Sequence, residues 1–254
     1  MADATVSFVG TVSRDRPQAK PDNTESGPRR FGAYDEDYAI SVIPTKHVLC
    51  DEGSYFVTTN PTPGSVIAND NKTAFSDTVP WLYLFNGNTA ASRIRAYLDY
   101  IKIIVTTAPT TTTQAHFAVI ADLVARFPTT NNTTALTPVS PNTGGPFSPK
   151  LTVNLQSSAT ASAVPASSGA KRVVARGAVG GQPIAGDELV ITFGSPDVAA
   201  LQGLTAAQAT TPGRKITNCP PVILDPGHSA VVHVWFVGAG AAMSHEFEMG
   251  HWER

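Results

Sequence analysis

The chain has 254 residues, a formal net charge of −2 and only 15 % charged residues, with 20 glycines and 20 prolines. Soluble domains carry roughly 25 % charge, so this composition favours short strands and long ordered loops over helices, and a surface that packs against other proteins. The length admits one large β domain or two small ones with a real core, and the near-neutral balance excludes nucleic acid as a partner because it supplies no basic field.

Residues 1–10 (MADATVSFVG) have neither a charged start nor an apolar run of signal-peptide length, and nowhere are 18 apolar residues consecutive. The expectation is synthesis in a cytoplasm, with no membrane partner. Residues 5–12 read as a short strand. Residues 15–30 (DRPQAKPDNTESGPRR) then gather prolines with Arg16, Lys20, Arg29 and Arg30, just after Arg14, and contain no large apolar side chain. That is the composition of an arm, held by a neighbouring subunit or folded back on its own domain. The expected organisation is therefore a strand and arm over residues 1–30 and a β domain over residues 31–254.

Residues 39–43 and 45–50 read as strands broken at Pro44, and Asp51-Glu52-Gly53-Ser54 reads as a turn before a strand at Tyr55-Phe56-Val57. Asn60-Pro61-Thr62-Pro63-Gly64 is a rigid turn, and residues 81–85 form an apolar strand ended by Asn86-Gly87-Asn88. Residues 94–107 are ambiguous: Ile94, Tyr97, Leu98, Ile101 and Val105 fit a helix, while Ile94, Ala96, Leu98 and Tyr100 alternate. The β-branched run over residues 101–107 decides for a strand. Residues 116–127 also read as a strand. Residues 128–150 have no periodicity, and a loop of that length in a domain is a working surface or an assembly contact.

Residues 151–156, 171–179 and 188–193 add three strands, and Ser195-Pro196-Asp197 carries the signature of a helix start, with the helix running over residues 198–204. Residues 229–237 are apolar on both faces, as in a strand covered on both sides. The last stretch alternates, with His245, Phe247, Met249 and His251 on one face and Glu246, Glu248, Gly250 and Trp252 on the other. These two segments are expected to form a closing β-hairpin, with the C-terminus built into the fold and no targeting tail. About ten short strands, one helix and no strand–helix alternation predict an all-β fold: an antiparallel β-sandwich or jelly roll with long loops and an extended N-terminal arm.

Four of the six histidines, His228, His233, His245 and His251, fall near the C-terminus. A cupin-type metal site needs ligands two apart on one strand. His228 and His233 instead fall on opposite faces, and His245 and His251 lie about 20 Å apart along a strand. The run HVLCDE, with His47, Cys50, Asp51 and Glu52, is half a metal site with no second half, and Cys219 is followed by two prolines. Cys50 and Cys219 are expected as two buried thiols. Asp35, Glu36 and Asp37 read as a solvated turn, and no phosphate loop or nucleophile elbow is present. No catalytic, metal or cofactor residue is assigned. Tyr34, Tyr38, Tyr55, Trp81 and Trp252 are candidates for glycan contact, though such aromatics more often pack in a core or interface. Trp252, beside Glu253 and Arg254, is the candidate for a subunit contact.

Asp51-Glu52-Gly53-Ser54-Tyr55-Phe56 with Asn60-Pro61-Thr62-Pro63-Gly64, residues 97–102 (YLDYIK), Pro226-Gly227-His228 and residues 246–254 (EFEMGHWER) together resemble structural proteins encoded near the capsid gene of podovirus-type tailed bacteriophages. The resemblance runs through most of the chain and carries no catalytic signature. It implies a non-enzymatic virion component, made in the host cytoplasm and carried on the capsid surface, of the decoration, cement or head-fibre kind. Its partners would be the major capsid protein and further copies of itself in a closed ring such as a homotrimer. The contact residues would be Arg14, Arg16, Lys20, Arg29 and Arg30 on the arm, with Trp252, Glu253 and Arg254. A shell protein is disfavoured, since no long amphipathic spine helix is evident. Two alternatives stay open: a glycan- or receptor-binding head or tail module, and a cupin-like metal-dependent enzyme.

Overall fold

The computed structural model describes residues 45–60, 62, 64, 67–68, 74–108, 114–124, 126, 133–156, 172–179, 182–194, 213–237 and 244–254. The chain divides into two compact units, Met1–Val48 and Leu49–Arg254. The strands expected over residues 5–12 and 39–43, the arm over residues 15–30 and the helix expected over residues 198–204 all lie outside the described residues.

Residues 45–50 are not a strand. They belong to helix α1, Thr45–Glu52, and the supposed turn after them is its C-terminal cap. Gly53 adopts φ +78°, the Gly53 amide donates to the Cys50 carbonyl at 3.0 Å, and the Ser54 amide donates to the Leu49 carbonyl at 2.9 Å. This pair of bonds is the Schellman motif, which needs a left-handed residue just past the helix. Asp51-Glu52-Gly53 was thus a stop signal for a helix. With Leu49 as its one buried residue, the helix has no periodic apolar face by which the sequence could announce it.

Two sheets follow. The first has the strand order β1 (Tyr55–Thr59), β13 (Ser244–Glu253), β4 (Ala96–Thr107), β9 (Glu188–Phe193), β10 (Arg214–Cys219), with β2 (Ile67–Ala68) paired to β13 and β11 (Ile223–Leu224) paired to β4. The second has the order β6 (Thr133–Leu136), β7 (Leu151–Gln156), β3 (Leu82–Asn86), β12 (Ser229–Phe236), β5 (Ala115–Asp122), β8 (Arg172–Val179). Leu98, Ile101, Phe247 and Met249 of the first sheet share one buried cluster with Leu84, Val119, Val153 and Val232 of the second. The fold is an all-β sandwich, and its pairing is antiparallel except between β9 and β10, which run parallel. A parallel neighbour needs a crossover rather than a tight turn; residues 195–212, which make it, are not described.

The closing hairpin is overturned. β12 sits between β3 and β5 in the second sheet, while β13 sits between β1 and β4 in the first. Each has the makings of a central strand. β12 is apolar on both faces, with Ala230, Val232 and Val234 in the main core and Val231 buried against Tyr83 and Ile120 on the far side. β13 offers one continuous inward face. A two-strand hairpin would leave one edge of each unpaired, whereas insertion into two sheets satisfies both edges of both strands.

The ambiguity of residues 94–107 also has a structural cause. The β4–β13 pairing steps from Tyr100↔Gly250 to Leu98↔His251, so Asp99 is an extra residue in a β-bulge. Inward positions run Ala96, Leu98, then Ile101, Ile103, Val105. The shift from Leu98 to Ile101 is what imitates helical spacing. Residues 128–150, expected as loop throughout, contain β6 and a single bridge between Val139 and Val57. Only Leu136 of β6 enters the core, too little to show a period. No helix among the described residues is long and apolar enough to cross a membrane.

Candidate functional site

The outer face of the first sheet is organised around Gly250. An antiparallel sheet exposes alternate residues on its far side, and here these form cross-strand rows: Tyr55, Trp252, Tyr97 and Ile223, then Val57, Gly250, Tyr100 and Thr192, then Thr59, Glu248, Lys102 and Val190. The missing side chain at Gly250 leaves the bed over which Tyr55 and Tyr100 lie. Tyr55 Oη donates to Asp99 Oδ2 at 2.6 Å, Tyr100 Oη donates to Glu248 Oε1 at 2.6 Å, and Lys102 Nζ lies 2.8 Å from Glu248 Oε2. Burial first, and then these carboxylates, push both phenol pKa values up. Both hydroxyls are fixed donors. On Glu248, burial works upward, but Lys102 and Tyr100 outweigh it and hold the carboxyl below its usual range.

Trp252 stacks on Tyr97 at 5.4 Å with ring planes 2° apart, half-buried on this outer face. Glu253, expected beside it at a contact surface, is buried on the opposite side. Its Oε1 accepts from the amides of Lys150 and Leu151, both at 2.8 Å, and lies 3.4 Å from His251 Nε2. Burial raises the Glu253 pKa, and the His251 and amide contacts more than reverse that. Arg254 is exposed beside Glu52 at 3.4 Å. Arg14, Arg16, Lys20, Arg29 and Arg30 lie outside the described residues, as do Tyr34, Tyr38, Asp35, Glu36 and Asp37.

The histidines are dispersed. His245 accepts from Trp81 Nε1 at 3.1 Å and is wholly buried, which pushes its pKa down to about 4. His251 stacks on Phe56 at 5.4 Å; burial lowers its pKa against the opposing pull of Glu253. His233 is buried on the far side of the second sheet beside Phe75, 4.8 Å between centroids, and His47 is exposed on α1. Among the described residues no group of three or more His, Cys, Asp or Glu is placed to hold a metal ion. Cys219 is buried, with its thiol pushed up to about 11 by burial, and Cys50 is only half-buried rather than buried as expected; the two are unpaired. Tyr55 and Trp81, candidates for glycan contact, are both buried.

Sequence reasoning missed three surfaces. Residues 137–150 are irregular yet anchored: Asn142 Nδ2 donates to the Asp51 carbonyl at 3.0 Å, and Val139 and Val57 exchange two bonds of 2.8 Å. From this loop Val139 and Phe147 project, 57 % and 58 % exposed. A second surface is the tyrosine–carboxylate lattice, for which the signals were a glycine inside a strand and an aspartate inside an apolar run. The third lies along β8. There a cleft of about 270 Å³ lined by Asp122, Arg172, Ile223, Asp225 and His228 is followed by a groove of about 890 Å³ lined by Phe75, His116, Val173, Arg176 and Trp235.

A scan against protein-family models, a search of curated proteins and a search of solved structures each return no match to this chain.

Proposed function

We propose that the protein is a structural component of a bacteriophage virion that oligomerises and binds the capsid exterior as a decoration or cement protein. The observation that carries this reading is the loop at residues 137–150. It is pinned to Asp51 and Val57, yet turns the large apolar side chains of Val139 and Phe147 outward. An ordered loop that spends backbone hydrogen bonds to present apolar surface is built for a contact. The low charge of the chain and the resemblance in residues 51–56, 97–102 and 246–254 point the same way. Its partners in this reading are the major capsid protein and further copies of itself, as a closed ring such as a trimer.

The test adds purified protein to capsids that lack it and measures occupancy by mass. Phe147→Asp and Val139→Asp are expected to lower occupancy while leaving the unfolding transition in place, and deletion of residues 15–30 is expected to lower it further. Full occupancy by all three variants refutes the reading. A monomeric native mass by light scattering refutes the ring.

A second reading, a glycan- or receptor-binding head or tail module, is favoured by the Tyr97–Trp252 stack on an open sheet face. Specific retention on host surface sugars, lost in Trp252→Ala, would place it first.

A further inference from the structure

At one end of the first sheet, a charged row and an aromatic row lie side by side outside the tyrosine–carboxylate lattice. The backbones of Arg95 and Arg254 exchange bonds of 2.8 and 2.9 Å, so the two residues stand directly opposite each other and their side chains share a face. Ala96 lies in the core, which puts both arginines on the outer face, next to the row of Trp252, Tyr97 and Ile223. Each guanidinium has its own carboxylate. Arg95 Nε donates to Asp225 Oδ1 at 2.6 Å, and Arg254 reaches Glu52 Oε2 at 3.4 Å. These four side chains are between 35 % and 66 % exposed.

The aromatic row is preassembled. Trp252 and Tyr97 stack 5.4 Å apart with planes 2° from parallel, both half-buried, and the Tyr97 hydroxyl is a further partner of the Arg95 guanidinium. Rings held in this way lose little freedom when a ligand arrives. Ile223, 48 % exposed, extends the row over three strands, a width of about 10 Å at the usual strand spacing.

Two guanidiniums against two carboxylates leave the charged row without a net field for an ionic ligand. Neither ion pair exhausts its groups, since a guanidinium has several N–H donors and a carboxylate several lone pairs, and exposed pairs of this kind are weak. Donors and acceptors therefore stand beside an apolar strip. A neutral sugar has the matching chemistry: C–H groups on one face of its ring for the aromatic side chains, and hydroxyls at its rim that donate to carboxylates and accept from guanidiniums.

We infer that this end of the first sheet binds a neutral oligosaccharide, with a pyranose ring against Trp252 and Tyr97 and its hydroxyls on Asp225, Arg95, Arg254 and Glu52. The inference rests on the glycan-binding reading and deepens it, naming the class of glycan and the residues that take it.

The test titrates the full-length protein by calorimetry with neutral tetrasaccharides of glucose, galactose, mannose and N-acetylglucosamine, and with tetragalacturonate and tetraglucosamine as acidic and basic counterparts. Saturable binding of at least one neutral sugar is expected, about ten-fold tighter than either charged one. Trp252→Ala is expected to weaken that binding about ten-fold or more, and so is Asp225→Ala, which alters an exposed side chain and leaves the unfolding transition in place. Charged sugars that bind as tightly as the neutral ones overturn the inference, as does full affinity in either variant; in both cases a glycan module of another specificity or at another surface still stands. Absence of saturable binding of every sugar at millimolar concentration overturns the inference and the glycan-binding reading together.

Discussion

Replacing Gly250 by alanine probes the lattice on the outer face of the first sheet. An ideal Cβ at this position falls 2.5 Å from Tyr100 Cε1 and closer still to Tyr55 Oη. Neither ring can swing away without loss, since Tyr55 is held by Asp99 and Tyr100 by Glu248, each through a bond of 2.6 Å. Overpacking of this kind costs about 1–3 kcal/mol. Displacing Tyr55 also weakens a buried charge-assisted bond, roughly 1–3 kcal/mol more. A combined loss of about 3 kcal/mol would lower Tm by about 6–12 °C in a domain of this size. Urea unfolding followed by tryptophan fluorescence measures the first quantity and a thermal scan the second. Tyr55→Phe removes the hydroxyl that the new methyl meets, so Gly250→Ala should cost about 1 kcal/mol less in that background. A cost below about 1 kcal/mol for Gly250→Ala alone, or strict additivity with Tyr55→Phe, would refute the reasoning.

Acid should destabilise the protein well before its carboxylates are neutralised. His245 is held neutral with a pKa pushed down to about 4 from 6.5, so below pH 6.5 the unfolded chain binds a proton that the folded one refuses. Stability then falls as pH drops from 6.5 towards 4, by about 3 kcal/mol in all from this residue, with His251 adding in the same direction; denaturant midpoints that rise over that window would contradict it. Glu253 and Glu248, held below their usual range, extend the loss to lower pH, where protonation removes their contacts. Glu253→Ala leaves the Lys150 and Leu151 amides without their acceptor and should cost roughly 3 kcal/mol, whereas Glu253→Gln keeps an acceptor oxygen and should cost clearly less; equal losses would mean that the charge, not the two amide bonds, is what matters. Gly53→Ala places a β-carbon in a left-handed conformation 2.8 Å from the Pro146 ring, so a loss of about 2 kcal/mol or more is expected by urea unfolding, and a neutral result would show that α1 does not need its cap.

Legibility in the sequence followed how much each segment buries. Leu151–Gln156 and Glu188–Phe193 were readable to the residue because every second side chain enters the core. Ala96–Thr107 was readable only through its β-branched end, because the bulge at Asp99 breaks the period midway. α1 and β6 were misread for the opposite reason: each buries one apolar side chain, leaving local propensity to argue against a cap and a ladder it could not see. The separation of the last two strands was invisible for a further reason. Adjacency in sequence favours a hairpin, and the competing demand, that both strands be central, depends on neighbours drawn from residues 55–122. As for the surface, alternation along the last strand put Trp252 on the outer face, where it stacks on Tyr97, whereas the burial of Glu253 was not legible because a carboxylate held by two loop amides looks like any solvated one until the loop is placed.

The two outer faces of the sandwich differ from its rim in how much of their chemistry is already engaged. On the second sheet, Val231, Ile120 and Tyr83 are already covered, and Arg126, 1 % exposed, closes that side through the Asp77 carbonyl at 2.8 Å. On the first, Asp99, Glu248 and Lys102 are paired with Tyr55, Tyr100 and each other, so a ligand there must break a bond for each one it makes. The periphery is different: Val139 and Phe147 are exposed, so in the decoration reading they would lose only water to a partner. Binding and folding should therefore separate by residue. Substitutions at Val139 or Phe147 should change occupancy at constant unfolding free energy, and substitutions at Gly250 or Glu253 should lower stability while leaving the affinity of the folded fraction intact. A variant at the periphery that unfolds the sandwich, or one in the lattice that abolishes binding without destabilising it, would show that the face, and not the rim, is the working surface.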